Sequence, residues 1–135
     1  MLLIKTYVGL SKIHGLGCFT AQNLRKGQLI WVENPELDVN IPVNKVKKYP
    51  KSVQCFLKMY TFLKENSKEG VYILCGDDAR YMNHSFCPNI IENPDGSGSS
   101  LTARDIKKGE EITCDYYSFD LEASIKLKGA NRRRL

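Results

Sequence analysis

A sustained helical period of apolar residues occurs once in this chain. Val46, Tyr49, Val53, Phe56, Tyr60 and Leu63 follow one another at intervals of three or four, the spacing that lines one face of an α-helix. Pro50 falls inside the pattern and should end or kink it. The spacing therefore predicts one main helix over residues 51–66, capped by Ser52, with a short helical turn before it. Lys51, Lys58 and Lys64 mark its polar face, and the opposite face is expected to cover a sheet. Around this insertion (about 44–66) the chain is cut into short apolar pieces: LLIKTYV, CFTAQ, QLIWVEN, VYILC, NIIENP, LTARD and ITCDY. Each reads as a strand. NIIENP and LTARD, joined by DGSGSS, read as a hairpin. SFDLEASIKLKG is expected to form a short second helix. Short strands with an inserted helix and no βαβ alternation predict a β-rich α+β fold.

A length of 135 residues points to one domain. No apolar run approaches the roughly 20 residues that span a bilayer. The apolar start MLLIKTYVGL is broken by Lys5, which favours a first strand over a signal peptide. The five cysteines are scattered with no CxxC pair. That argues against a disulfide framework and for free thiols in a reducing, intracellular compartment, cytoplasmic or nuclear, with delivery into a host cell still open. The net charge is +5, and Lys126, Lys128, Arg132, Arg133 and Arg134 supply all of it. Residues 1–120 thus read as the domain and 121–135 as a basic tail. Such a tail can contact nucleic acid, although a solvated chain end is the plainer reading.

Three short segments stand apart from the core pattern. Gly15-Leu16-Gly17 marks a tight turn or a close approach of backbone to a ligand; it lacks the third glycine and following helix of a dinucleotide site. RYMNHSFCPN, residues 80–89, places amides, an imidazole, a hydroxyl and a thiol in a segment with neither period. Asn83 and His84 there could pin a loop or bind a polar ligand. His14 is the other histidine, so a histidine-based metal site is poorly supplied, and no hydrolase signature surrounds His84 and Cys87. Asp115-Tyr116-Tyr117 closes the last strand. A tyrosine there is an aromatic wall or an acid/base group, though an ordinary phenol with a pKa of about 10 is a poor base at neutral pH.

In that order, GLGCF, RYMNHSFCPN and GEEITCDY resemble the motifs of the SET-domain family of protein-lysine methyltransferases, most closely its small single-domain bacterial and viral members. The resemblance implies a fold of several small sheets with a C-terminal segment threaded through a loop, a pseudoknot. It implies S-adenosylmethionine as methyl donor and S-adenosylhomocysteine as product. His14, Gly15 and Leu16 would lie along the cofactor through backbone, with Gly17 supporting the turn. Asn83 and His84 would hold it, and Arg80 and Tyr81 would border its pocket. Pro88 and Asn89 would fix the loop's exit, Cys87 being a bystander. Tyr116 would be catalytic, and Cys114, Tyr72 and Tyr117 would line the lysine channel. A residue as small as Cys114 two places before the tyrosine leaves room for di- or trimethylation.

Many relatives bind zinc through a cysteine directly after NHS. Phe86 stands there, and no cysteine follows Cys114, so no metal is expected. Phe119 and Leu121 would close the site by packing instead. A channel tyrosine that several relatives carry near Glu33 is absent. The acceptor would be a protein lysine, a histone being one candidate, and the acids Glu33, Glu36, Asp38, Glu92 and Asp95 could favour a basic peptide. The alternatives are an inactive SET-like interaction module, which retention of both the tyrosine and the NH pair argues against, and an unrelated β-rich protein binding nucleic acid through its tail.

Overall fold

The computed structural model describes residues 1–64 and 70–132, with side chains up to residue 128. Among the described residues, ten short strands form four small sheets. β1 (Thr6–Leu10) and β2 (Leu16–Thr20) make an antiparallel hairpin. β3 (Leu29–Trp31), β9 (Ser100–Thr102) and β8 (Ile90–Glu92) form an antiparallel sheet in that order. β4 (Val39–Pro42), β6 (Val71–Leu74) and β5 (Thr61–Lys64) form another. β7 (Asn83–His84) runs parallel to β10 (Thr113–Cys114). The expected hairpin is present as β8 and β9, in register Ile91 opposite Leu101.

The helical segment is shorter than its apolar spacing predicts. α1 (Val43–Val46) is a single turn, and α2 runs Lys51–Tyr60. Thr61 ends it by adopting extended backbone while its buried hydroxyl donates to Leu57 O at 2.6 Å. Thr61, Phe62, Leu63 and Lys64 then pair with β6, so Leu63 and Lys64 belong to a strand and not to the helix. Leu63 fell on the helical spacing by coincidence: a four-residue strand carries too little alternation to contradict a longer period. Residues 65 and 66 of the expected helix lie outside the described residues. Ser52 does not cap α2; Pro50 holds that position with no side-chain bond. Nor does α2 cover a sheet broadly. Leu57 is its buried residue, while Val53, Phe56 and Met59 are exposed.

The main core joins Cys18, Leu24, Ile30, Ile90, Ile106 and Ile112, and a smaller one joins Ile41, Val46, Leu57 and Tyr72. All five cysteines are free thiols, with Cys18, Cys75 and Cys114 buried. The C-terminal segment forms α3 (Ala123–Arg132), anchored by the buried Ala123. Lys126, counted with the basic tail, is turned inward: its Nζ reaches Asp120 Oδ2 at 2.5 Å and the Thr61 carbonyl. No described helix is long and apolar enough to cross a membrane.

Candidate functional site

Segment 80–89 is not wholly irregular. Asp77 Oδ1 accepts from Ala79 N and caps a 3-10 turn, Asp78–Tyr81. Two residues of strand follow. A chain that pairs for two residues must satisfy its remaining backbone by other means. Ser85 N donates to Cys114 O, and Asn89 brackets the same strand from beyond the loop, with Nδ2 on Glu111 O at 2.8 Å and Oδ1 accepting Thr113 N at 2.8 Å. Residues 111–114 therefore run between two walls of one loop. Asn89 has the anchoring place expected of it.

Asn83 is buried, and its amide is committed within the protein. Nδ2 reaches His14 O (3.1 Å), Leu16 O (3.0 Å) and Glu111 Oε1 (2.8 Å). Two amide hydrogens shared by three acceptors lock the Gly15-Leu16-Gly17 loop to β7. Glu111, which the sequence reading missed, completes the clamp: its carboxylate also accepts from Ser11 Oγ at 2.8 and 2.9 Å. Gly17 is required by this clamp, since a Cβ there would lie 2.3 Å from Glu111 Oε1. Gly15 differs. It has φ +51° and nothing within 4 Å of an added Cβ, so the loop presents bare backbone to open space. The second glutamate of GEE was the available signal for Glu111, but its partners lie 28 and 100 residues away.

His84 Nδ1 accepts from Tyr116 N at 3.2 Å. That assigns the ring proton to Nε2, which is buried without a partner. The imidazole lies edge-on to Phe86 and Tyr117, with ring centres 4.5 and 5.7 Å away. Its visible task is to fix the backbone that carries Tyr116. Phe86 itself is 81% exposed. Cys87 is exposed as well.

Tyr116 opens a 3-10 turn, Tyr116–Ser118, capped by Asp115 Oδ1 accepting from Tyr117 N. Its hydroxyl donates to Met82 O at 2.6 Å. Burial, above all, pushes its pKa well above the usual phenol range, so it stays protonated and its oxygen keeps lone pairs to accept with. Cys114 is buried beside it, its thiol likewise pushed far up by burial.

A cavity of about 550 Å³ adjoins these groups. Met82, Cys114, Tyr116 and Tyr117 line it, with Trp31, Met59, Phe62, Ile90 and Phe119 as apolar wall. Arg80 also lines it, its guanidinium 5.1 Å from the Tyr81 ring centre and its Nε buried without a partner. Tyr81 packs edge-on to Tyr60 and belongs to the core wall. Phe119 and Leu121, the residues expected to close the site by packing, are on the lining, Leu121 largely exposed. Phe119 stands edge-on to Phe62 at 5.2 Å and to Tyr116 at 6.0 Å. Tyr72, expected in the channel, is elsewhere: it is buried in the smaller core and its hydroxyl donates to Glu122 at 2.8 Å. Asp120, also missed, fastens the C-terminal wall to β5 by accepting from Leu63 N at 3.0 Å. No group of metal-ligating side chains occurs among the described residues.

The SET domain profile matches residues 15–117, which spans all three motifs. The chain belongs to the SET-domain family. Human histone-lysine N-methyltransferase 2D is 30% identical over 121 residues, 86% of this chain but 2% of that protein. The Drosophila melanogaster histone-lysine N-methyltransferase trr is 32% identical over 123 residues, 86% of this chain and 5% of its own length. This SET domain thus spans a small fraction of the curated relatives it matches. Among solved structures, a chain of the Chaetomium thermophilum polycomb repressive complex 2 superposes with a TM-score of 0.61 at 24% identity, covering 84% of this chain and 15% of that one. A chain of that complex bound to S-adenosylmethionine in an autoinhibited conformation gives 0.62 at 22% identity, over 96% and 17%. The fold is therefore the SET fold of several small sheets.

Proposed function

We propose that the protein is a protein-lysine N-methyltransferase that uses S-adenosylmethionine. The observation that carries the reading is the Tyr116 hydroxyl, donating to Met82 O within an apolar cavity, one residue from the clamp that shapes the glycine loop. The residues fit the cofactor in two respects. Gly15 offers backbone with room in front of it, and Arg80 Nε is a buried donor lacking an acceptor. His14, Gly15, Leu16 and Gly17 would lie along it by backbone, Asn83 and His84 would hold the segments that shape its pocket, and Arg80 and Tyr81 would border it. When bound, S-adenosylmethionine supplies a sulfonium-activated methyl group and is left as S-adenosylhomocysteine.

The residues of the chain account for the rest. A lysine amine must be neutral to attack, and its pKa in water is about 10.4. The walls formed by Trp31, Phe62, Ile90 and Phe119 disfavour the ammonium by excluding water. Tyr116, held as a neutral phenol, orients the amine through its oxygen lone pairs, while Met82 O fixes the phenol. Cys114 and Tyr117 flank it. Alignment of amine and donor within this frame is the main source of rate. The substrate is a protein lysine, with a histone as the first candidate.

Titration calorimetry with S-adenosylmethionine and S-adenosylhomocysteine, followed by transfer of labelled methyl groups to histones and cell extract, tests the reading. Binding of both and labelling of a lysine are expected. Absence of cofactor binding would end it.

A further inference from the structure

The charged groups of the cavity differ in how far they are committed to the protein. Asp120 and Lys126 are consumed in the wall: Asp120 accepts from Leu63 N, Glu122 N and Lys126 Nζ. Asp115 accepts from Tyr117 N. Glu33 and Lys64 are different. They share one contact, 2.6 Å from Nζ to Oε2, and their side chains remain 26% and 38% exposed. Among the described residues Glu33 accepts from nothing else through its carboxylate. An ion pair this open contributes little and exchanges readily with another cation. Lys64 ends β5 on a long flexible stem, so it can swing out into water.

A second, independent feature lies two residues away. Trp31 is 8% exposed and lines the same cavity, yet its Nε1 is buried without an acceptor. A buried indole N–H left unpaired is costly, and an incoming peptide carbonyl would supply what it lacks. The cavity thus combines apolar walls for an aliphatic stem and a carboxylate held by a replaceable cation, with an indole N–H that lacks an acceptor in a wall residue.

We propose that Glu33 selects the substrate: it receives a cationic side chain flanking the target lysine, which takes the place of Lys64, while Trp31 Nε1 meets a carbonyl of the bound segment. This rests on the lysine-methyltransferase reading. A purely structural ion pair makes a contrary prediction. Loss of either partner would then weaken the site in the same direction. Under exchange, removing Glu33 destroys the preference, whereas removing Lys64 leaves Glu33 unmasked and strengthens it.

The test is fluorescence anisotropy on the full chain with three labelled short peptides. Each has one central lysine, flanked by arginine, alanine or glutamate. The arginine peptide is expected to bind about tenfold tighter than the alanine peptide, a charge-assisted bond's worth. Glu33→Gln should collapse that ratio, Lys64→Met should raise it, and Glu92→Gln, which changes another cavity carboxylate, should leave it. The idea is overturned by equal binding of the three peptides, by no binding, by a ratio insensitive to Glu33→Gln, by collapse in Glu92→Gln, or by Lys64→Met lowering the ratio. Should Glu33→Gln fail to fold by circular dichroism, the sign of the Lys64→Met effect decides alone. Cofactor calorimetry and methyl transfer by the wild-type chain report separately on the underlying activity, so loss of the peptide preference and loss of the enzyme reading are told apart.

Discussion

Two regions diverge from Met82, and they are finished to different standards. Toward the glycine loop, Asn83, Glu111, Ser11 and the carbonyls of His14 and Leu16 form a closed hydrogen-bonded set. Toward the cavity, Trp31 Nε1 lacks a partner and the Glu33–Lys64 pair stands partly in water. A group that meets one invariant ligand benefits from a frame with a single geometry. A group that must admit a protein segment and release it benefits from polar atoms satisfied only when that segment is present. Under the proposed function, the clamp would couple stability to cofactor affinity, and the cavity would let specificity change without loss of the fold.

Breaking the clamp should have the largest effect on the folded state. Glu111→Ala leaves Ser11 without its acceptor, removes one of three from Asn83 and opens space beside Gly17. A loss of about 2–3 kcal/mol in denaturant-measured stability is expected, with weaker cofactor binding by calorimetry. On the cavity side, Asp120→Ala strands Lys126 and frees Leu63 N. About 2 kcal/mol of stability should go, turnover should fall, and cofactor affinity should hold, since the wall moves and the clamp does not. Cys114→Tyr adds bulk beside Tyr116 and should shift products toward fewer methyl groups in mass spectra. A wild-type enzyme that stops at monomethyl product would contradict the room ascribed to Cys114. The smallest signature is in the pH profile. Because burial raises the pKa of Tyr116, its phenol stays neutral where an ordinary tyrosine ionises. Initial rates should therefore rise with pH and show no falling limb near pH 10.

Legibility in the sequence tracked the length of the interaction. The SET motifs were readable because Gly15, Asn83 and Tyr116 sit in short strings, glycine-rich or polar, that core packing does not explain, and the fold class followed from one helical period among short strands. β5 was hidden by the coincidence of Leu63 with a helical spacing, and β7 by its two-residue length. Glu111 and Asp120 were missed for a different reason. Each is an ordinary acid locally, and only the topology brings residues 11, 83 and 111, or 63, 120 and 126, together. Tyr72 shows the reverse error. An aromatic in a strand looks the same whether it lines a channel or fills a core, and here it fills the core.

The central claim is that Tyr116 acts on the transfer step through its hydroxyl. Tyr116→Phe removes one oxygen and keeps the ring packed against Phe119. Single-turnover methyl transfer on a labelled lysine substrate, with calorimetry of S-adenosylmethionine on the same variant, isolates that oxygen. A fall of about 100-fold or more in the transfer rate is expected, with cofactor affinity essentially retained. A variant that transfers methyl at the wild-type rate would contradict it.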